Sequence, residues 1–187
     1  MSPEDREYIS NLEKRLEGSK SAREIMESNV YEYEVINNPN KKEKGTYERR
    51  VPDKNGNKTN KGVLVINKAA GDEKTMASTL AHELGHVNND IKNNYDLNSG
   101  MGKREFMKNV LRDEADADIF RINVYDEMAS KTIDKPRFHE EYHKYSDRKK
   151  PVEIRNAIAR GLGKAGYGKY LSDYYDNNKQ TKFPDAK

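Results

Sequence analysis

The stretch LAHELGHVNND, residues 80–90, carries His82-Glu83-x-x-His86 inside a run whose apolar residues Leu80, Leu84 and Val87 recur at three- and four-residue steps. That period is helical. Residues four apart share one helical face, so the two imidazoles can direct a nitrogen at a single ion. Glu83 projects to one side, where it can reach a water on that ion. Zinc with three protein ligands keeps a position for water and draws that water's pKa towards neutrality. The pattern therefore asks for a third ligand from another element.

Working outward, the third ligand is expected from RDEADADIF, in the long helical run 103–129. Glu114 lies 28 residues beyond His86, and Asp118 follows it by one turn on the same face. A carboxylate at Asp118 can accept the second ring N–H of a ligand histidine and fix its tautomer. Asp113 and Asp116 are rival third ligands. Asp113 is read as facing elsewhere and Asp116 as lying on the far side of the helix, both capping or solvated. Gly85, costly inside a helix, predicts close approach of another element, with the Glu114 helix the natural candidate.

A second copy, His139-Glu140-x-x-His143 in FHEEYHKYS (138–146), uses the other two of the four histidines. It has little apolar periodicity, and Glu153 lies too close to belong to a separate crossing helix. It reads first as a solvated pair on a polar helix. Its alternative role is support, with His139, Tyr142 or His143 swinging over the first site to stabilise an oxyanion. His143 is the catalytic candidate taken from that group.

The rest of the chain frames these motifs. Ser2 and Pro3 predict a helix start ahead of Tyr8, Ile9, Leu12 and Leu16, and SAREIMES a short second helix. VYEYEVIN (30–37), GTYERRVP (45–52) and GVLVIN (62–67) predict three strands, with Asn55-Gly56 as a turn and GVLVIN as the buried strand. Asp72 caps the motif helix, and SGMG (99–102) breaks the chain before the next. Pro136 and Pro151 set off two shorter helical pieces, and the Gly-, Asn- and Lys-rich tail is expected to loosen. One domain results: N-terminal helices 1–29, sheet 30–67, metal-site helices 72–130 and C-terminal helices 134–187.

Composition narrows the classes. Apolar residues make up 33% and charged residues 36%, so the core is small and the twelve tyrosines must contribute to it. The net charge of +3 is too balanced to mark a disordered chain and gives no strong nucleic-acid signal. Without cysteine there are no disulfides, thiolate nucleophiles or Cys-type zinc sites. No run of 18 apolar residues and no signal-peptide core is present. The expected location is the cytoplasm, or outside the cell by a specialised export route.

At TLAHELGHVNND and DEADAD the chain resembles the zincin metallopeptidases, and Glu114-x-x-x-Asp118 makes it most similar to the glutamate-liganded branch, the gluzincins. The likeness spans about 60 residues, from the strand at 63 to Asp118. It implies an α+β, zincin-like fold: a small sheet of about three strands packed on the active-site helix, with a mostly helical C-terminal half. It implies zinc held by His82, His86 and Glu114, Glu83 as general base, and Asp118 orienting His82. It also implies that GVLVIN is an edge strand binding a peptide backbone. The chain is too short for the second lobe of the large thermolysin-type enzymes. It also resembles small metallopeptidases of phage-repressor cleavage systems and compact secreted bacterial toxins and effectors. The expected function is a zinc endopeptidase acting on a protein or peptide, with a cognate inhibitor protein as a further candidate partner. A zinc hydrolase of cell-wall amide bonds and a non-catalytic binding module are the alternatives.

Overall fold

The capping residues start the helices. In the computed structural model, which describes residues 1–50, 60–92, 95, 101–128, 132–146 and 151–182, Ser2 Oγ accepts the Asp5 N–H at the head of α1, Pro3–Leu16. Ser19 caps α2, Lys20–Met26, through the Ala22 N–H, and Asp72 caps α3, Glu73–Ile91, through the Thr75 N–H. Each side-chain oxygen satisfies one of the donors that a helix start leaves without an internal partner. The Asn55-Gly56 turn and part of the 99–102 break lie outside the described residues.

Among the described residues three strands form one mixed sheet: β1, Tyr31–Ile36; β2, Gly45–Glu48; and β3, Gly62–Asn67. The order is β1-β3-β2, with β1 parallel and β2 antiparallel to β3. The fold is thus α+β, as expected. GVLVIN is not an edge strand, however. β3 lies between the other two, and β2 is the outer strand on the side of α3. The cause is hydrophobic: β3 is buried at five of its six positions, which suits an interior strand. Buried Asn67 then places β2. Its Nδ2 donates to the carbonyls of Asn38, Lys41 and Glu43, and its Oδ1 accepts the Asn38 N–H, pinning the loop that leads into β2.

α3 runs through the middle of the molecule. Met76, Leu80, Leu84 and Val87 are fully buried against Leu12 and Leu16 of α1, Leu64 and Ile66 of β3, and Phe120 and Val124 further along the chain. Burying each such side chain stabilises by roughly 1.5–3 kcal/mol. That is enough to hold a helix that also takes polar groups out of water. α4, Lys103–Glu127, crosses α3 closely at Gly85. A Cβ there would stand 2.7 Å from Ala117 Cα and 2.9 Å from its carbonyl oxygen, so the glycine is what allows the approach.

Beyond α4 come α5, His139–Ser146, and α6, Pro151–Leu162. A π-helical turn, Gly163–Tyr167, then leads into α7, Gly168–Lys182. The tail is therefore helical to residue 182, and the end expected to loosen lies outside the described residues. Tyr175 and Leu171 are buried, and Tyr175 packs with Phe106 of α4. The glycines make a kink: Gly166 has φ +93°, a conformation that favours glycine, and the chain turns there before Tyr167. Among the described residues no helix is long and apolar enough to cross a membrane.

Candidate metal centre

α3 and α4 run antiparallel, so successive turns of one meet earlier turns of the other. His82 Nε2 lies 3.3 Å from Glu114 Oε2, and His86 Nε2 lies 3.6 Å from Glu114 Oε1. One ligand atom from each of the three residues lies within 4.8 Å of the others. Ligand bonds of about 2.0–2.1 Å at tetrahedral angles put donor atoms roughly 3.3–3.4 Å apart. The imidazole–carboxylate spacings, each to a different Glu114 oxygen, leave the three groups where they could hold a metal ion. The rings stand edge to face with centroids 4.9 Å apart.

Both remaining imidazole nitrogens face carboxylates. His82 Nδ1 is 3.2 Å from Asp118 Oδ1, the partner expected for it, although the approach is not aligned as a hydrogen bond. His86 Nδ1 lies 2.8 Å from Asp113 Oδ2. Asp113 therefore does not face elsewhere as the sequence suggested. It is buried, and it also accepts from Asn89 Nδ2 at 2.8 Å and pairs with Arg49. The helix crossing explains this. A histidine one turn further along α3 meets a carboxylate about one turn earlier on α4. Asp116 does lie off the site, bonded to Tyr95 and Arg155.

Glu83, Asp113, Glu114 and Asp118 thus crowd around two imidazoles, with Arg49 and Arg121 as the adjacent cations. Burial acts against the charged form of every one of these groups. For His82 burial pulls the pKa down, but the carboxylates of Asp118 and Glu114 outweigh it and hold the value near 10. For Glu114 burial pushes up and the His86 and His82 imidazoles pull further down. Of the four carboxylates Glu83 alone is raised: burial dominates, only partly offset by the two histidines. An acidic donor set of this composition suits a divalent cation.

The histidines open onto a cleft of about 920 Å³. β2 forms one wall, Glu83 lies at the base, and Tyr167, Tyr170 and Tyr174 line the other side. Gly45 of β2 leaves room for Glu83, since a Cβ there would stand 3.1 Å from Glu83 Oε1 and 2.8 Å from Thr79 Cγ2. The Tyr167 hydroxyl donates to Glu114 Oε1 at 2.9 Å. Burial and the Glu114 carboxylate push its pKa far up, so it stays a donor at neutral pH.

The structure does not bring His143 to this cleft. His143 Nε2 is 2.8 Å from Asp126 Oδ2, and His139 Nε2 is 2.7 Å from Asp126 Oδ1. Asp126 lies twelve residues beyond Glu114, about 18 Å along α4. Nor is the pair simply solvated, since both rings share that one carboxylate. Among the described residues of the C-terminal half, Tyr167 is the one hydrogen-bonded to the candidate ligand Glu114. Its signal was the spacing Tyr167, Tyr170, Tyr174, a helical face inside a stretch read as loosening. No protein-family model matches the chain, and neither a curated protein nor a solved structure matches it.

Proposed function

We propose that the chain is a metal-dependent peptide hydrolase, with zinc held by His82, His86 and Glu114. The observation that carries this reading is the meeting of that ligand set with a buried, proton-hungry Glu83 at the base of an open cleft. When bound, the ion lowers the pKa of its water and polarises a carbonyl.

The chain's own residues supply the rest. Glu83, whose pKa burial raises above the ordinary 4.5, is suited to take a proton and return it to the leaving amine. Asp113 holds the ring plane of His86 by a hydrogen bond, and Asp118 places its negative charge beside His82 Nδ1. The Tyr167 hydroxyl stands at the ligand carboxylate, where a donor would meet the negative charge that develops on a carbonyl oxygen. β2 offers the substrate a backbone. The Asn67 N–H donates to the Lys44 carbonyl, so alternation along the antiparallel ladder turns Thr46 and Glu48 to β3. The N–H and C=O of Gly45 and Tyr47 are left on the outer edge, where an extended peptide can add as a further strand.

Glu83→Gln tests this directly. The variant should keep its zinc and its fold and lose hydrolysis of a mixed peptide library by about 10²–10⁴-fold. A Glu83→Gln protein that cleaves as well as wild type removes the mechanism.

A further inference from the structure

The second histidine pair is the motif that the cleft leaves unused. α5 is eight residues long and buries none of them, too short to hold itself in a helix. What positions it is Phe138 just before it, buried with Ile154 and Ile158, Tyr142 and Tyr145 packed against that same cluster, and the two imidazoles on Asp126. Those rings are held from both sides. Tyr125 stands edge-on to His139 with centroids 5.1 Å apart, Tyr142 edge-on to His143 at 5.2 Å, and the imidazoles are 4.6 Å from each other.

We infer that Asp126, His139 and His143 form a second divalent-metal site, of the borderline class to which zinc belongs, that staples α5 to the C-terminal end of α4. The three offer one ligand atom each within 4.8 Å of one another, as the first set does. The donors are two imidazole nitrogens at positions i and i+4 and a carboxylate from a facing helix, a combination that suits zinc, copper and nickel rather than calcium or magnesium. The nitrogen–oxygen spacings of 2.7 and 2.8 Å are those of hydrogen bonds. A tetrahedral ion needs roughly 3.3 Å. The opening of about half an ångström falls on side chains free to make it, His143 being 46% and Asp126 34% exposed. The site is for binding and not for hydrolysis. Glu140, the counterpart of Glu83, is exposed and turned to Lys135 Nζ at 2.9 Å.

The test is zinc per chain on the full-length protein, stripped with chelator, reloaded, desalted and measured by mass spectrometry. Wild type should retain about two equivalents and Asp126→Asn about one, the count expected for independent sites of this kind. His139→Ala with His143→Ala should match Asp126→Asn, and Glu114→Ala should also hold about one. Circular dichroism confirms that each variant folds, and Asp126→Asn, nearly identical in shape, decides the matter if the double variant does not. Wild type holding one zinc that survives Asp126→Asn overturns the second site and leaves the first standing. One zinc that follows Asp126 and is indifferent to Glu114→Ala upholds the second site and removes the first. Wild type that holds no zinc after desalting overturns both.

Discussion

Gly85→Ala sets two effects of opposite sign against each other. Alanine is the better helix former by about 0.8–1.0 kcal/mol and also reduces the freedom of the unfolded chain, so local propensity predicts a more stable protein. Packing predicts the reverse. The new methyl would sit 2.7 Å from Ala117 Cα, 2.9 Å from Ala117 O and 3.1 Å from Ala117 Cβ. Carbon atoms rest about 3.5–4.0 Å apart, so α3 and α4 must separate by roughly 0.8 Å or more at the crossing. Two of the struck atoms are backbone and have no rotamer to yield. Overpacking of this kind costs about 1–3 kcal/mol, and here the upper part of that range applies. The net expectation is a loss of about 1–2 kcal/mol, read from urea unfolding of the chelator-treated protein. The same separation falls between His86, next in sequence, and Glu114, three residues before Ala117. Metal sites tolerate about 0.2 Å in ligand position, so zinc affinity, measured against a competing chelator, should fall at least about tenfold. A Gly85→Ala protein that is more stable by about 1 kcal/mol and binds zinc as wild type does would refute the reasoning.

Tyr167→Phe removes the hydroxyl beside Glu114 while keeping the ring, and should lower kcat by about 10²-fold or more with zinc retained; unchanged kcat would take Tyr167 out of the mechanism. Asp113→Asn leaves His86 without its charged partner and should weaken zinc binding by about 10–100-fold in a competition assay. Glu127 joins α4 to the start of α2 by accepting from the Ser21 hydroxyl and N–H and from Ser19 Oγ. Burial acts to raise its pKa, but those bonds outweigh it and the folded value lies below the ordinary 4.5. A depressed carboxylate pKa stabilises the fold above the unfolded value and stops doing so as pH falls through the folded one. Glu127→Gln should therefore be less stable than wild type at pH 7 in chemical unfolding, with the difference shrinking once pH drops below 4.5.

What could be read from the chain was local or periodic. Ser2 and Asp72 act through bonds to residues three positions on, so a capping residue predicts a helix start without knowledge of the rest of the fold. His82, His86, Glu114 and Asp118 follow from spacing alone once two helices face each other, and Gly85 marked where they come closest. What was missed depends on non-local geometry. On a single helix the rotation from Glu114 turns Asp113 away, but in an antiparallel crossing the later histidine meets an earlier carboxylate. The place of β3 between β1 and β2 is a matter of sheet order, which chain order does not determine. Tyr167 sits behind a glycine-rich kink that reads locally as a loose tail, and only the packing of α7 on Phe106 shows it to be a wall of the cleft. Asp126 has no signal in the sequence because its partners His139 and His143 lie on a short helix that buries none of its residues.

The most direct test of the central claim is an anomalous difference map, recorded across the zinc edge, from crystals of the zinc-loaded protein. The account predicts a peak about 2.0–2.2 Å from His82 Nε2, His86 Nε2 and a Glu114 carboxylate oxygen. A map with no peak between those three residues, whatever it shows at Asp126, would contradict it.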